Sequence, residues 1–254
     1  MNVVVCVKQV PDPNSAGQLD PATNRLKREG VEVVLDPGDE YGIEAGLQLA
    51  EASGGQVTVV SMGPEKALDA IRKALAMGAA KGVLVSDAAL AGADALTTAK
   101  VLAAAIRREP FDLVITATES TDASTGVVPQ MLAGLLDVPC VTFAKHVEAS
   151  GGTLKVNRQT EAGYDVVEAD LPALMSVTAG VFEPRYPSLK GIMAAKSKPV
   201  DRLGVADLGL GEVTSGEQIV GVQPAEERKA GEIVEDDGTA AQRIVDFLAA
   251  QKVI

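Results

Sequence analysis

The chain opens on an unbroken apolar run, Val3, Val4, Val5, Cys6 and Val7, and then alternates strand-length apolar segments with helix-length amphipathic ones. A strand apolar on both faces must be covered on both faces, which is the situation of a parallel sheet flanked by helices. The alternation is regular. An extended piece over 31–35 ends at Asp36-Pro37-Gly38, and the spacing of Ile43, Leu47 and Ala50 predicts a helix from about Asp39 to Ser53, stopped by Gly54-Gly55. Val57 to Met62 reads as a strand, and Gly63-Pro64 opens a helix whose Leu68, Ile71 and Leu75 form one stripe closed by Gly78. Val83 to Val85 is a short strand, and Asp94 to Arg107 a helix with Ala95, Ala99, Leu102 and Ile106 inward. A strand at Leu113 to Thr116, a hydroxyl-rich loop, a helix carrying Val128, Met131, Leu132 and Leu135, and a strand around Val141 to Phe143 complete the series. Parallel neighbours need crossover connections, so these units predict an α/β fold with a doubly wound parallel sheet flanked by helices.

From Ser150 the pattern changes. Gly151-Gly152, Leu154 to Arg158, a turn at Ala162-Gly163 and Asp165 to Ala169 predict an antiparallel hairpin elaboration, followed by an extended Leu174 to Val177. Beyond Val181 come the Pro- and Lys/Arg-rich stretch EPRYPSLKGIMAAKSKPVDR, a polar linker from Gly204 to about Asp237, and a terminal amphipathic helix with Ile244, Phe247 and Leu248. The expected organisation is an α/β domain over 1–200 that includes the hairpin and the segment 183–198, with an extended C-terminal arm over 201–254. A length of 254 residues suits one large domain with such an appendage.

Composition narrows the function classes. A charge of -12, from 23 Lys+Arg against 35 Asp+Glu, repels nucleic-acid backbones and anionic membranes, and 3% aromatics with no Trp leave little for base stacking. Nucleic-acid binding is therefore not expected. No apolar run approaches the roughly 18 residues of a membrane span, and the apolar start lacks a basic flank and a cleavage site; the expectations are no membrane insertion and a cytoplasmic location. Cys6 and Cys140 are expected as reduced, buried thiols, and the sole histidine, His146, as a solvated strand-end residue with no nucleophile beside it. The run Asp12-Pro13-Asn14-Ser15-Ala16-Gly17 has the opening of a calcium loop, but Thr23 stands where a bidentate Glu is required. There is neither a Walker loop nor a strand-anchored GxGxxG, and no catalytic residue is assigned.

What remains is a set of strand ends, the usual ligand position in doubly wound sheets: Cys6 to Lys8, Asp36-Pro37-Gly38-Asp39, Ser61-Met62-Gly63, and the loop after Thr116. That loop, Ala117-Thr118-Glu119-Ser120-Thr121-Asp122-Ala123-Ser124-Thr125-Gly126, followed by Val127 and Val128, packs hydroxyl and carboxylate groups between a strand and a helix. Its amides can cradle a phosphate, or its hydroxyls can simply cap the helix, and both readings stay open at this point. The second informative segment is Glu183 to Lys198, where Arg185, Lys190, Lys196 and Lys198 make a basic island interleaved with Pro184, Tyr186, Leu189, Ile192 and Met193. Apolar groups rimmed by charge suit a docking surface.

The stretches VVVCVKQVPD, SMGPEKALDAIRKALAMGA, ESTDASTGVVPQMLAGLLDVP and EPRYPSLKGIMAAKSKP, with Val156-x-Arg158-x-x-Glu161 between them, resemble in order the landmarks of the electron transfer flavoprotein β-subunit family, within the adenine nucleotide alpha hydrolase-like superfamily. The resemblance spans essentially the whole chain. It implies a non-catalytic electron carrier in a heterodimer. The α subunit would hold most of the FAD site, and the β subunit would bury AMP, with Cys6, Asp36 to Asp39, Met62 and Ala117 to Val128 lining that site. It further implies electrons received from flavin dehydrogenases such as acyl-CoA dehydrogenases and passed to a quinone oxidoreductase. Glu183, Pro184, Arg185, Tyr186, Leu189, Ile192 and Met193 would dock the dehydrogenase, with Leu189 as the apolar anchor. The C-terminal arm would reach over the α subunit. Two rivals stand beside this. One is an electron-bifurcating form with FAD in the β site oxidising NADH; the other is a stand-alone universal-stress-type adenine-nucleotide-binding protein, against which the docking segment and arm argue.

Overall fold

In a computed structural model that describes residues 1–15, 17–223, 231 and 233–254, the apolar opening run becomes β1 (Asn2–Cys6). A detour follows with β2 (Gln9–Pro11), β3 (Leu19–Asp20), β4 (Arg25–Leu26) and β5 (Val33–Leu35). Alternating units come next: α1 (Pro37–Ser53), β6 (Gln56–Met62), α2 (Leu68–Met77), β7 (Lys81–Val85), α3 (Ala95–Ile106), β8 (Leu113–Ala117) and α4 (Val128–Leu136). The chain continues through β9 (Cys140–Ser150), β10 (Thr153–Thr160), β11 (Gly163–Asp170), β12 (Ala173–Val177), α5 (Leu189–Ala195) and β13 (Val200–Leu203), and later forms α6 (Ala240–Ala250). Ala16 of the calcium-like run and residues 224–230 and 232 of the expected linker lie outside the described residues.

Nine strands form one sheet in the order β11-β10-β9-β12-β8-β1-β6-β7-β13, and every strand from β9 across to β13 runs parallel. β1 sits between β8 and β6 with Val4 and Val5 buried on opposite faces, so the apolar opening run is explained by two-sided cover. On one face Ile43 and Leu47 of α1 and Ile71 and Leu75 of α2 pack with Val3, Val5 and Val59. On the other, Leu102 and Ile106 of α3 and Leu132 and Leu136 of α4 pack with Val4, Val60 and Val114. The close approach of α1 needs Gly46, where an added Cβ would fall 3.0 Å from Val5. The helix is set by its ends: Asp36 caps the N-terminus by accepting from the Gly38 amide, Pro37 opens it, and Gly54 closes it at φ 67.

This winding creates a switch point. From β1 the chain steps outward through β6 and β7 by way of α1 and α2, then α3 carries it back to β8 on the other side of β1. The carboxyl ends of β1 and β8 therefore diverge, which is where doubly wound sheets leave a crevice. The predicted hairpin is observed as β10–β11, paired antiparallel, and it extends the long β9 into a meander at the sheet's edge. β12 returns between β9 and β8, parallel to both. Past residue 200 the chain does not leave the sheet at once, because β13 pairs with β7. Residues 1–220 form one compact unit and 221–254 a second, in which Ile244 and Phe247 of α6 are exposed. Among the described residues, no helix is long and apolar enough to cross a membrane.

One expectation is corrected. Cys140 is exposed, not buried, because it is the first residue of β9 and only the next one, Val141, enters the core. Cys6 is buried as expected, and burial together with the nearby Asp39 charge pushes its thiol up to about 12.

Candidate nucleotide crevice and docking segment

The crevice is assembled from the ends of β1, β6 and β8 and the start of α1. Cys6, Met62 and Thr116 project to the face covered by α3 and α4, and the Thr116 hydroxyl is buried with no hydrogen-bond partner among the described residues. Buried hydroxyls are nearly always paired, so this one marks a place where a polar group is missing a neighbour. Ser61, one residue before Met62, has a second orphaned hydroxyl on the opposite face.

The two carboxylates at the head of α1 are spent on the backbone. Asp36 is fully buried; one oxygen accepts from the Gly38 amide, and the other from the Thr121 amide at 2.8 Å and the Thr121 hydroxyl at 3.1 Å. It thereby ties α1 to the loop after β8. Asp39 accepts from the Lys8 amide at 2.7 Å. Burial, and then the Asp36 charge, hold the Asp39 carboxyl well above the usual carboxylate range, with the Lys8 and Ala117 amides and the Lys8 charge opposing. Asp39 thus stitches the diverging ends of β1 and β8 in a form that favours its proton.

The loop over 117–128 answers the question of capping. α4 begins after Val127 with no side-chain cap, so the hydroxyls of Ser124 and Thr125 do not satisfy its first amides. Instead, Ser120 Oγ accepts from Lys8 Nζ at 3.1 Å, its carbonyl accepts from the amides of Ala123 and Ser124, and the Thr118 hydroxyl donates to the Val177 carbonyl. Glu119 lies beside Gly126, whose φ of +68 makes the turn into α4. Asp122 is gripped by two cations, Lys8 Nζ at 2.5 Å and Arg28 Nη2 at 2.6 Å. Burial pushes the Asp122 carboxyl up, and the hydrogen bond and charge of Lys8, with the hydrogen bonds from Arg28 and Ser120, bring it below the usual range. Arg28 was missed at the sequence level: it lies in the detour between β4 and β5, 94 positions from Asp122, and only the fold brings the two together.

The segment 183–198 behaves differently. Tyr186 is 96% exposed, Leu189 77% and Met193 71%, with Ile192 also exposed, while Ser188 caps the short α5 by accepting from the Gly191 amide. The basic island is only partly on the surface. Arg185 turns inward, its guanidinium and amide bonding both oxygens of the buried Glu44, and it also pairs with Glu51. Lys198 Nζ donates to the carbonyls of Leu75 and Ala79 at the end of α2. Lys190 and Lys196 are exposed and make no ion pair among the described residues.

An α/β sheet wound in this way, with a crevice at its switch point, defines a doubly wound α/β protein. Comparison supplies the family: residues 23–208 match the electron transfer flavoprotein domain, and the chain belongs to that family. It is 42% identical to the electron transfer flavoprotein subunit beta of Mycobacterium bovis, covering all of this chain and 99% of that one. It is 39% identical to the subunit of the same name from Thermoanaerobacterium thermosaccharolyticum over the full length of both. The caffeyl-CoA reductase-Etf complex subunit CarD of Acetobacterium woodii is 38% identical, over 85% of this chain and 83% of its own. The chain is thus an electron transfer flavoprotein subunit, with an α subunit as its implied partner and a flavin involved in its work.

Proposed function

We propose that the chain is the β subunit of a heterodimer that carries electrons from flavin dehydrogenases, acyl-CoA dehydrogenases among them, to a quinone oxidoreductase in the cytoplasm. In this reading the FAD is held mainly by the α subunit, where it accepts and releases the electrons. This chain holds AMP in the crevice, with Cys6, the turn Asp36-Pro37-Gly38-Asp39, Met62 and the loop Ala117 to Val128 around it. Two observations carry the nucleotide: α4 starts without a side-chain cap, and the Thr116 hydroxyl at the end of β8 is buried without a partner among the described residues. Free helix-start amides bind phosphate, and a buried hydroxyl lacking a partner fits a polar ligand edge. The residues of this chain orient and retain a ligand and leave the redox chemistry to the flavin.

The docking role of Glu183, Pro184, Arg185, Tyr186, Leu189, Ile192 and Met193 is supported by the apolar groups standing in water on α5 and just before it. The C-terminal arm is proposed to pack on the α subunit, which its exposed Ile244 and Phe247 favour. Co-expression with the α subunit, followed by denaturation and identification of the released nucleotides, tests the whole. One FAD and one AMP per heterodimer are expected, with this chain colourless when purified alone. FAD in both sites would instead support the bifurcating form, in line with the similarity to a subunit of a reductase-Etf complex. A complex without adenine nucleotide would overturn the proposal.

A further inference from the structure

Between β1 and α1 the chain takes a detour over 9–35 that the parallel sheet does not require, and this detour crosses the carboxyl ends of three strands. Gln9 Nε2 donates to the Lys66 carbonyl, beyond β6, at 2.8 Å. Arg25 packs over Gly92, beyond β7, so closely that a Cβ there would fall 2.3 Å from its guanidinium. Arg28 pairs with Asp122, beyond β8, at 2.6 Å, while its Nη1 donates to the Gln9 carbonyl at 3.2 Å. The detour is thus a strap across the switch point.

Its fastening is polar. Val10 and Leu35 anchor the two ends in the core, and none of the described residues between them is buried. The pairings within it are short, β2 with β5 and β3 with β4. A segment with so little buried apolar surface opens at low cost unless discrete ties hold it. The tie nearest the crevice is Asp122, whose side chain is 5% exposed and whose two oxygens are taken separately by Lys8, at the root of the strap, and Arg28, within it.

We propose that Arg28 is a positioning residue that, through Asp122, latches the strap over the switch-point crevice and retains the nucleotide there. This rests on the nucleotide reading above. A latch slows release of whatever the crevice holds, whereas a direct phosphate contact acts only on ligands that carry phosphate. The test uses the complex with the α subunit, loaded with AMP or with adenosine, and measures the ligand remaining after timed dialysis by chromatography of the denatured protein. Arg28→Gln is expected to speed the loss of both ligands by about tenfold or more, since the hydrogen bond lost is to a charged group. Arg28→Lys is expected to restore most of the retention, and Arg28→Gln combined with Asp122→Asn to release no faster than Asp122→Asn alone. Unchanged retention in Arg28→Gln, an effect confined to AMP, or additive effects in the double variant would each overturn the latch while leaving the nucleotide reading intact. A wild-type complex that holds no adenine nucleotide would overturn both. An independent measurement avoids substitution altogether: in the unmodified complex, bound AMP should slow proteolytic cutting within 12–32, and equal cutting with and without AMP would overturn the proposal.

Discussion

Helix α1 touches two regions built on opposite principles. At its head, Asp36, Asp39 and Asp122 are turned inward onto amides and cations, so the charged groups around the crevice are already assigned partners. Farther along the same helix, Glu44 and Glu51 hold Arg185, and the residues that follow put Tyr186, Leu189, Ile192 and Met193 into water. The first arrangement suits a small polar ligand, because groups fixed before binding cost no reorganisation when the ligand arrives. The second suits a large partner that comes and goes, since exposed apolar side chains gain only when a partner covers them. Burial therefore separates the two regions, and the charged residues of the proposed docking segment fall on both sides of the division.

Arg185 tests that division hardest. It stands in the docking segment, yet its bonds run into the core, and Glu44, its main partner, is a buried carboxylate held below the usual range: burial pushes it up, and Arg185 and Gln48 more than offset this. Removing the guanidinium strands a buried charge. Arg185→Ala is expected to cost about 3 kcal/mol or more, read as a shift of the denaturant midpoint at unchanged slope. The loss should shrink in acid, because a carboxylate with a depressed pKa contributes stability only above its unfolded value and loses it as pH falls through the folded one. A variant as stable as wild type but slow to receive electrons would move Arg185 to the surface side of the comparison.

Leu189 is the converse case. At 77% exposure it supports nothing in the isolated fold, so Leu189→Ala should leave stability within about 0.5 kcal/mol of wild type. As the anchor of a docking patch it should nonetheless slow electron transfer from a flavin dehydrogenase by about tenfold or more, as expected for a hot-spot truncation of about 2 kcal/mol, with α–β assembly and flavin content intact. Stopped-flow measurement across dehydrogenase concentrations checks this, and unchanged kinetics would remove the segment's claim to docking.

The contrast between the two regions also explains what could be read from sequence. The parallel core was legible because burial on both faces writes itself as runs such as Val3 to Val7, and helix cover as stripes such as Leu68, Ile71 and Leu75. The exposed apolar side chains were legible for the opposite reason: Leu189 and Met193 among lysines are conspicuous in a polar stretch. The fate of individual charges was not. Arg185 and Lys198 look like neighbours of Lys190 and Lys196, and only the register of α1 and α2 beneath them decides that the first two turn inward. Arg28 and Asp122 are 94 positions apart in sequence, and no local pattern links them. Cys140 was misjudged because apolar context along the chain does not reveal where a strand enters its cover.

The smallest expected effect lies at the buried end of the comparison. Asp39 and Glu44 share one helix and both are buried, yet their titrations run in opposite directions, because Glu44 faces Arg185 whereas Asp39 faces Asp36 and the Cys6 thiol, with Lys8 the one cation opposing. An unfolded Asp39 ionises near the ordinary value of about 3.9, while the folded one keeps its proton to higher pH. Between those two values the unfolded state binds fewer protons, so the contribution of Asp39 is complete in acid and declines as pH rises through the folded value. Asp39→Asn keeps an oxygen to accept from the Lys8 amide and cannot ionise. At pH near 7 the variant is expected to be as stable as wild type or more so, by on the order of 1 kcal/mol, with the difference vanishing towards pH 4. Chemical denaturation across that range checks it. A variant that is less stable, with a deficit growing towards neutral pH, would mean that the fold holds Asp39 as a paired carboxylate, and the crevice would then resemble the Glu44 site instead of contrasting with it.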